Sequence, residues 1–199
     1  MNVIAFGCPH APYHHIDALD FLADQRKQFK PTEVVCLGDE VDLYRLSRHD
    51  QDPDAPDVVR ELKKARRFIA DLGKLFPVLK LCHSNHVRRL YSTARGAGLP
   101  LSVLKSWKSI IEAPAGWTWR RQWKIDGVSY FHADGYSGEK AIASTITDFR
   151  TNVVFSHLHT IGRVEYHQRR FWSNWGASAG CLVTSAPNCP AFRYAKYHR

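Results

Sequence analysis

The sequence contains no run of about 18 apolar residues, so no helical membrane span is written into it. It has no C-x-x-C pair either. Its five cysteines (Cys8, Cys36, Cys82, Cys181 and Cys189) are odd in number and scattered. That fits reduced thiols better than a disulfide framework, and most are expected to be small core residues. No basic segment precedes the first apolar run; Met1 to Phe6 leads straight into a strand-like pattern rather than a signal peptide. These absences together predict a cytoplasmic chain. There is no internal repeat, low-complexity tract or linker, and 199 residues suffice for one domain with its own core, expected over 1–199. Acids are scarce after residue 60: residues 1–60 carry 11 acids against 6 bases, while residues 61–199 carry 8 against 22.

What is present is a succession of apolar runs, each followed by polar, chemistry-bearing residues. Val3 to Phe6 reads as a strand ending in Gly7-Cys8-Pro9-His10. Ile16, Leu19, Leu22 and Phe29 recur at helical spacing, and Pro31 is expected to end that helix. Val34 to Leu37 reads as a second strand, followed by Gly38-Asp39-Glu40-Val41-Asp42. A polar loop over 47–56 precedes a helix with Val58, Leu62, Ala65, Ile69 and Leu72 on one face, which Gly73 is expected to terminate. Val78 to Cys82 is a third strand, running into His83-Ser84-Asn85-His86.

The segment from Arg88 to Ile111 reads as broken helix, interrupted near Gly96 and Pro100. Residues 117–124 and 127–132 read as two strands of a hairpin turning at Asp126-Gly127, the second ending at His132. A helix over about 138–149, with Ser137 as its cap, precedes the strand Val153 to Phe155 and Ser156-His157-Leu158-His159. Short closing strands are expected after that. The β–α–β succession predicts an α/β fold whose strand ends gather the polar residues.

Five strand ends carry metal-ligand residue types: Cys8 and His10; Asp39 and Asp42; Asn85 and His86; His132; His157 and His159. Any one of them is more often a hydrogen-bonded structural residue than a ligand. Their joint order, from residue 3 to about 162, resembles the calcineurin-like metallophosphoesterases. That family reads D-x-H, G-D-x-x-D, G-N-H-(D/E), a His, and G-H-x-H. Here the blocks are Cys8-Pro9-His10, Gly38 to Asp42, Ser84-Asn85-His86-Val87, His132, and Ser156-His157-Leu158-His159. The stretches His10 to His14 and Leu43 to Arg48 look like a subgroup of small members common in phage and bacterial genomes.

The resemblance implies a four-layer α/β/β/α sandwich with two mixed sheets, and two divalent metal ions (Zn, Mn or Fe). Asp39 would bridge them. His10 and His159, with the position of Cys8, would complete one ion; Asn85, His132 and His157 would hold the other. His86, oriented by Asp42, would help the leaving oxygen depart. Two cations can clamp a phosphate ester and generate a nucleophile from water near neutral pH.

Three departures stand out. Cys8 occupies an Asp position. It is either a thiolate ligand, which keeps the charge and favours Zn or Fe, or a neutral bystander beside a weakened site, or a sign that only binding remains. Ser84 and Ser156 replace glycines, so their loops are expected to shift slightly. Val87 replaces an acid. Arg48 and Tyr44 follow the second block, where a substrate phosphate could be reached. His14, His15, His49, His83, His167 and His198 are expected to be surface or structural.

The basic balance of residues 61–199 suits a phosphodiester in nucleic acid or a nucleotide as substrate, with nucleic acid a partner of the basic surface. A phosphomonoesterase acting on a protein or small molecule, and a catalytically silent nucleic-acid-binding module, are the alternatives. No membrane partner is expected, and the sequence does not set the oligomeric state.

Overall fold

The computed structural model of the chain describes residues 1–48, 52–170, 172–184 and 189. Two sheets pack face to face. The first has the order β1-β2-β3-β4, from Val3–Phe6, Glu33–Cys36, Val78–Cys82 and Gly116–Arg120, and all of its pairings are parallel. The second has the order β5-β6-β7-β9-β8, from Gln122–Ile125, Val128–His132, Asn152–Ser156, Trp172–Ala179 and Gly162–Arg169. It is mixed: β6-β7 and β7-β9 are parallel, β5-β6 and β8-β9 antiparallel. Two mixed sheets were expected; the described strands of the first pair only in parallel.

The layers follow from side-chain alternation along doubly covered strands. Val3 and Ala5 of β1, Val35 of β2 and Leu37 just beyond it face the second sheet, where Trp123, Val128, Tyr130 and Val154 meet them. Phe6 and Cys36 face outward onto helices α1 (Ala18–Phe29) and α2 (Val58–Leu75) through Leu22, Ala65, Phe68, Ile69 and Leu72. Val87 of α3 (Asn85–Gly96) and Trp107 of α4 (Trp107–Ile110) join the same core. On the far side, Phe131, Val153 and Phe155 pack under Ala141, Ile142 and Ile146 of α5 (Ala141–Phe149). The result is the expected α/β/β/α order.

Several boundaries differ from expectation for local reasons. Ile16 lies outside α1 and is 87% exposed; the helix starts at Ala18 and closes on Lys30 in the left-handed conformation, φ 44°. Gly73 does not end α2. It sits inside the helix, where an added Cβ would lie 2.5 Å from Pro114 Cγ. The α5 helix begins at Ala141 rather than after Ser137, because Gly138 takes φ +69° and breaks the turn. The closing strands are a hairpin of two 8-residue strands, not short pieces.

Residues 117–124 do not form one strand. Trp117 and Trp119 face the helices of the first sheet, whereas Trp123 and Ile125 face the space between the sheets. All four have the same parity, so a continuous strand would point them to one face. The chain satisfies both layers by leaving the first sheet at Arg120 and joining the second at Gln122. Indole hydrogen bonds pin each half: Trp117 Nε1 donates to the Phe76 carbonyl (2.8 Å) and Trp123 Nε1 to that of Leu81 (2.9 Å).

Cys36 and Cys82 are core residues as expected. His14 packs against Phe68 with ring centroids 4.1 Å apart, and His15 and His167 lie beside Asp17 and Glu165. His83 is exposed. His49 and His198 lie outside the described residues. None of the described helices is long and apolar enough to cross a membrane.

Candidate metal centre

The loops leaving β1 and β2 continue side by side beyond the strands. The Cys8 N–H donates to the Gly38 carbonyl (3.0 Å), that of His10 to Asp39 (2.9 Å), and that of Ala11 to Glu40 (3.1 Å). This ladder faces Cys8 and His10 toward Asp39 and Asp42. The backbone there is strained: Cys8, His10 and Asp39 have φ of 50°, 49° and 53°, and His157 has 99°. Left-handed conformations in non-glycine residues cost on the order of 1–3 kcal/mol each and persist where surrounding contacts impose them. Four of them converge on one cluster.

Seven of the predicted residues meet in that cluster. The ligand atoms of Cys8, His10, Asp39 and His159 lie within 4.8 Å of one another, as do those of Asp39, His132 and His157. Two metal–ligand bonds of about 2.0–2.3 Å span up to roughly 4.6 Å, so these atoms need little movement to share an ion. Asn85, in the first turn of α3, adds Oδ1 at 2.9 Å from His132 Nε2.

The hydrogen bonds fix which ring nitrogens face the cluster. His132 Nδ1 is 3.0 Å from the Leu37 carbonyl, which can only accept. Nδ1 therefore donates to that carbonyl, which turns Nε2 toward the cluster. Nε2 lies 3.3 Å from Asp39 Oδ2 and 2.9 Å from Asn85 Oδ1. His10 Nδ1 donates to Asp42 Oδ1 at 3.0 Å, which turns Nε2 toward the cluster, 3.5 Å from Asp39 Oδ2 and in hydrogen-bond contact with His159 Nε2 at 2.9 Å. Asp39 Oδ1 is buried without a hydrogen-bond partner. A buried carboxylate oxygen with no donor, ringed by imidazole nitrogens and a thiol, is a donor set that suits a cation.

Asp42 is not part of a third ligand set, although it lies close to His10 and His86. His86 Nδ1 is 2.9 Å from Asp42 Oδ1 and 2.5 Å from the Asp42 carbonyl, so both imidazoles donate to this residue. Asp42 thus orients two histidines, where only His86 was foreseen. Burial opposes its charge, but the hydrogen bonds from His10 and His86 outweigh burial and hold the carboxyl well below the usual range. Burial likewise opposes charge on Asp39, and His132 and His86 overcome it. His157 and His159 move the other way. Burial, then His132 and His10 respectively, push them down to about 4 and about 3, so they are neutral rings at pH 7.

Cys8 is fully buried. Its Sγ lies 3.8 Å from Asp39 Oδ2 and 3.0 Å from Ser156 Oγ, and accepts the His157 N–H at 3.3 Å. Burial, then the neighbouring Asp39 charge, push the thiol well up, so without a cation it stays protonated. Of the two serines, Ser84 stands at the N-cap position of α3 with φ −123° and makes no side-chain cap hydrogen bond, and Ser156 ends β7. Each sits against a glycine: a Cβ on Gly7 would overlap the Ser156 side chain, and one on Gly38 would come within 3.0 Å of Ser84 Cβ.

The two proposed substrate residues are placed differently. Arg48 is exposed. Tyr44 is 3% exposed, and its hydroxyl accepts the Asp52 N–H at 2.8 Å, so it faces the core instead of a substrate. Arg89 takes the nearer position: its Nη1 is 3.1 Å from His86 Nδ1 and 3.5 Å from the Asp42 carbonyl. Helical i, i+3 spacing from His86 was the signal that could have found it.

Glu61 was also missed, because an acid in the first turn of a helix followed by lysines reads as a solvated charge. It is fully buried under the Asp42–Tyr44 loop and takes the Tyr44 N–H on both oxygens, at 3.1 and 3.0 Å. Burial and the Asp42 charge push it up to about 8. A raised carboxyl stabilises the fold below its unfolded value, and that contribution fades as pH climbs toward 8. Glu61→Gln, which mimics the neutral acid, is expected to gain on the wild type between pH 5 and pH 9. The gain should reach a few kcal/mol, or about 2–4 °C in melting temperature per kcal/mol. A difference that stays flat across that range in paired melts would refute this.

No family model matches the chain, and no curated protein matches it. Solved structures with some likeness include Vps29 of Chaetomium thermophilum, at 12% identity and TM-score 0.44, over 93% of this chain and 76% of that one. Another is the nuclease MPE of Pseudomonas putida, at 14% identity and TM-score 0.37, over 94% and 79%. At these values the layered description rests on this chain's own strand pairing.

Proposed function

We propose that the chain is a metal-dependent phosphoesterase of the calcineurin-like type, cleaving a phosphodiester in nucleic acid or a nucleotide. The observation that carries this reading is the position of Asp39 between the two ligand-type groups, Cys8, His10 and His159 on one side and His132 and His157 on the other, with its own Oδ1 buried and unpartnered. Asp39 would be shared by two cations, with Cys8, His10 and His159 on one side and Asn85, His132 and His157 on the other. When bound, the cations supply Lewis acidity toward phosphate oxygens and lower the pKa of water toward neutrality.

The chain's own groups do the rest. Asp42 fixes the tautomers of His10 and His86. His86 Nε2, 3.9 Å from Asp39 Oδ2, lies at the edge of the cluster, where it can pass a proton to the leaving oxygen. Water adds to phosphorus as the ester P–O bond breaks, and the leaving oxygen takes up the proton. The neutral imidazoles keep the site cationic toward a phosphate. A cytoplasmic location belongs to the same proposal and agrees with five free cysteines.

A second reading, nucleic-acid binding without turnover, draws on the protonated thiol at position 8. Metal analysis of the purified protein, followed by assays of bis- and mono-p-nitrophenyl phosphate with Zn²⁺, Mn²⁺ and Mg²⁺, separates the two. Bound metal and faster cleavage of the diester are expected. A metal-free protein inert with every ion would leave only the binding reading.

A further inference from the structure

The α2 helix carries a second feature away from the cluster. A groove of about 440 Å³ is lined by Asp54, Pro56, Arg60, Lys63, Lys64 and Arg67. All four cations are exposed, on the face opposite Ala65, Phe68, Ile69 and Leu72. Their neighbours on the helix are neutralised: Arg66 pairs with Glu112 and donates to the Ile110 carbonyl, and Lys74 pairs with Asp71. Arg60 has Asp57. Among the described residues, no ion pair engages Lys63, Lys64 or Arg67. At 1.5 Å per residue, Arg60 and Arg67 stand about 10 Å apart along the axis, too far for one small anion to engage both ends of the row. Because α2 follows β2, the basic first half of the helix lies toward the sheet end that carries Asp39.

We propose that this groove binds the phosphodiester backbone of a nucleic-acid strand outside the metal cluster. The proposal rests on the nucleic-acid reading of the substrate and names the surface that would hold it. Backbone contacts of this kind are sequence-independent, and each phosphate neutralised adds about −0.7 to the salt slope on a single strand.

The test uses the full chain and a fluorescein-labelled single-stranded DNA, titrated by anisotropy at several salt concentrations. Lys63→Ala/Lys64→Ala/Arg67→Ala is expected to bind at least tenfold more weakly and to flatten the slope by about 2, three phosphate contacts being lost. Lys27→Ala/Lys30→Ala/Lys140→Ala removes equal charge elsewhere and should behave as wild type. Turnover of bis-p-nitrophenyl phosphate reports on the metal cluster and should be unchanged by the groove variant. An unchanged slope, equal losses in both triple variants, or a wild type that binds no DNA would each overturn the proposal. A wild type that binds DNA through the groove yet never turns over the small diester would sink the catalytic reading and leave this one standing.

Discussion

Asp39→Asn is expected to abolish hydrolysis of bis-p-nitrophenyl phosphate and to strip bound metal from the protein. Asn has the same shape but no charge, and one of its two terminal atoms is a donor. The amide would offer N–H to the lone pair of His10 or His132, closing as a hydrogen bond the gap that a cation would fill. Loss of several kcal/mol of charge stabilisation corresponds to about a 10³-fold or greater drop in kcat/KM. Melting should change in a matching way. Added Zn²⁺ or Mn²⁺ is expected to raise the wild-type melting temperature, since binding to the folded state alone stabilises it. The variant should lose that increment, and its metal-free form should melt lower than metal-free wild type, because the contacts with His132 and His86 that favour the Asp39 charge are lost. A variant that keeps two ions per chain by elemental analysis would exclude Asp39 as their bridge.

Much of this cluster was legible in the sequence because its residues follow strands. Short apolar runs followed by Cys8, Asp39, His132 and His157 announce both the strand and the place where the chain emerges from the sheet. Asn85, which stands on a helix, was legible only through its order among the others. What was not legible depends on packing between distant segments. The division of residues 117–124 between two sheets could not be seen in an alternation that never changes parity. Only the two different layers meeting Trp117 and Trp123 reveal it. Tyr44 looked available because it follows a motif, but the left-handed turn at Leu43, φ 55°, rotates it inward, where Glu61 holds its N–H. Glu61 and Arg89 look like solvated helix charges until the Asp42 loop is laid over them. Gly73 resembled a stop signal because helix propensity does not register Pro114. In each case the local signal was correct about chemistry and silent about what the neighbouring element would cover.

Cys8→Asp carries the second large effect, and the surroundings of Cys8 set its terms. The buried thiol is held protonated by desolvation and by Asp39. If sulfur is a ligand, Zn²⁺ binding must displace its proton, and wild-type Zn²⁺ affinity should climb steeply as pH rises through the neutral range. An Asp at position 8 ionises far more readily, so the climb should be shallower and fewer protons should be released, as read by titration calorimetry in buffers of different ionisation enthalpy. Exchanging a soft sulfur for a hard oxygen should move the kcat/KM ratio for Mn²⁺ over Zn²⁺ upward by at least about tenfold. The carboxylate is larger than a thiol, and Ser156 Oγ stands 3.0 Å from Sγ with Gly7 already yielding space to it. Overpacking of this kind costs about 1–3 kcal/mol, so Cys8→Asp alone should melt lower than wild type. Cys8→Asp/Ser156→Gly should recover most of that loss, while Ser156→Gly alone leaves metal preference where it was. If Cys8→Asp changes neither proton release nor metal preference, sulfur is a bystander, and the first cation is held by His10, Asp39 and His159 without it.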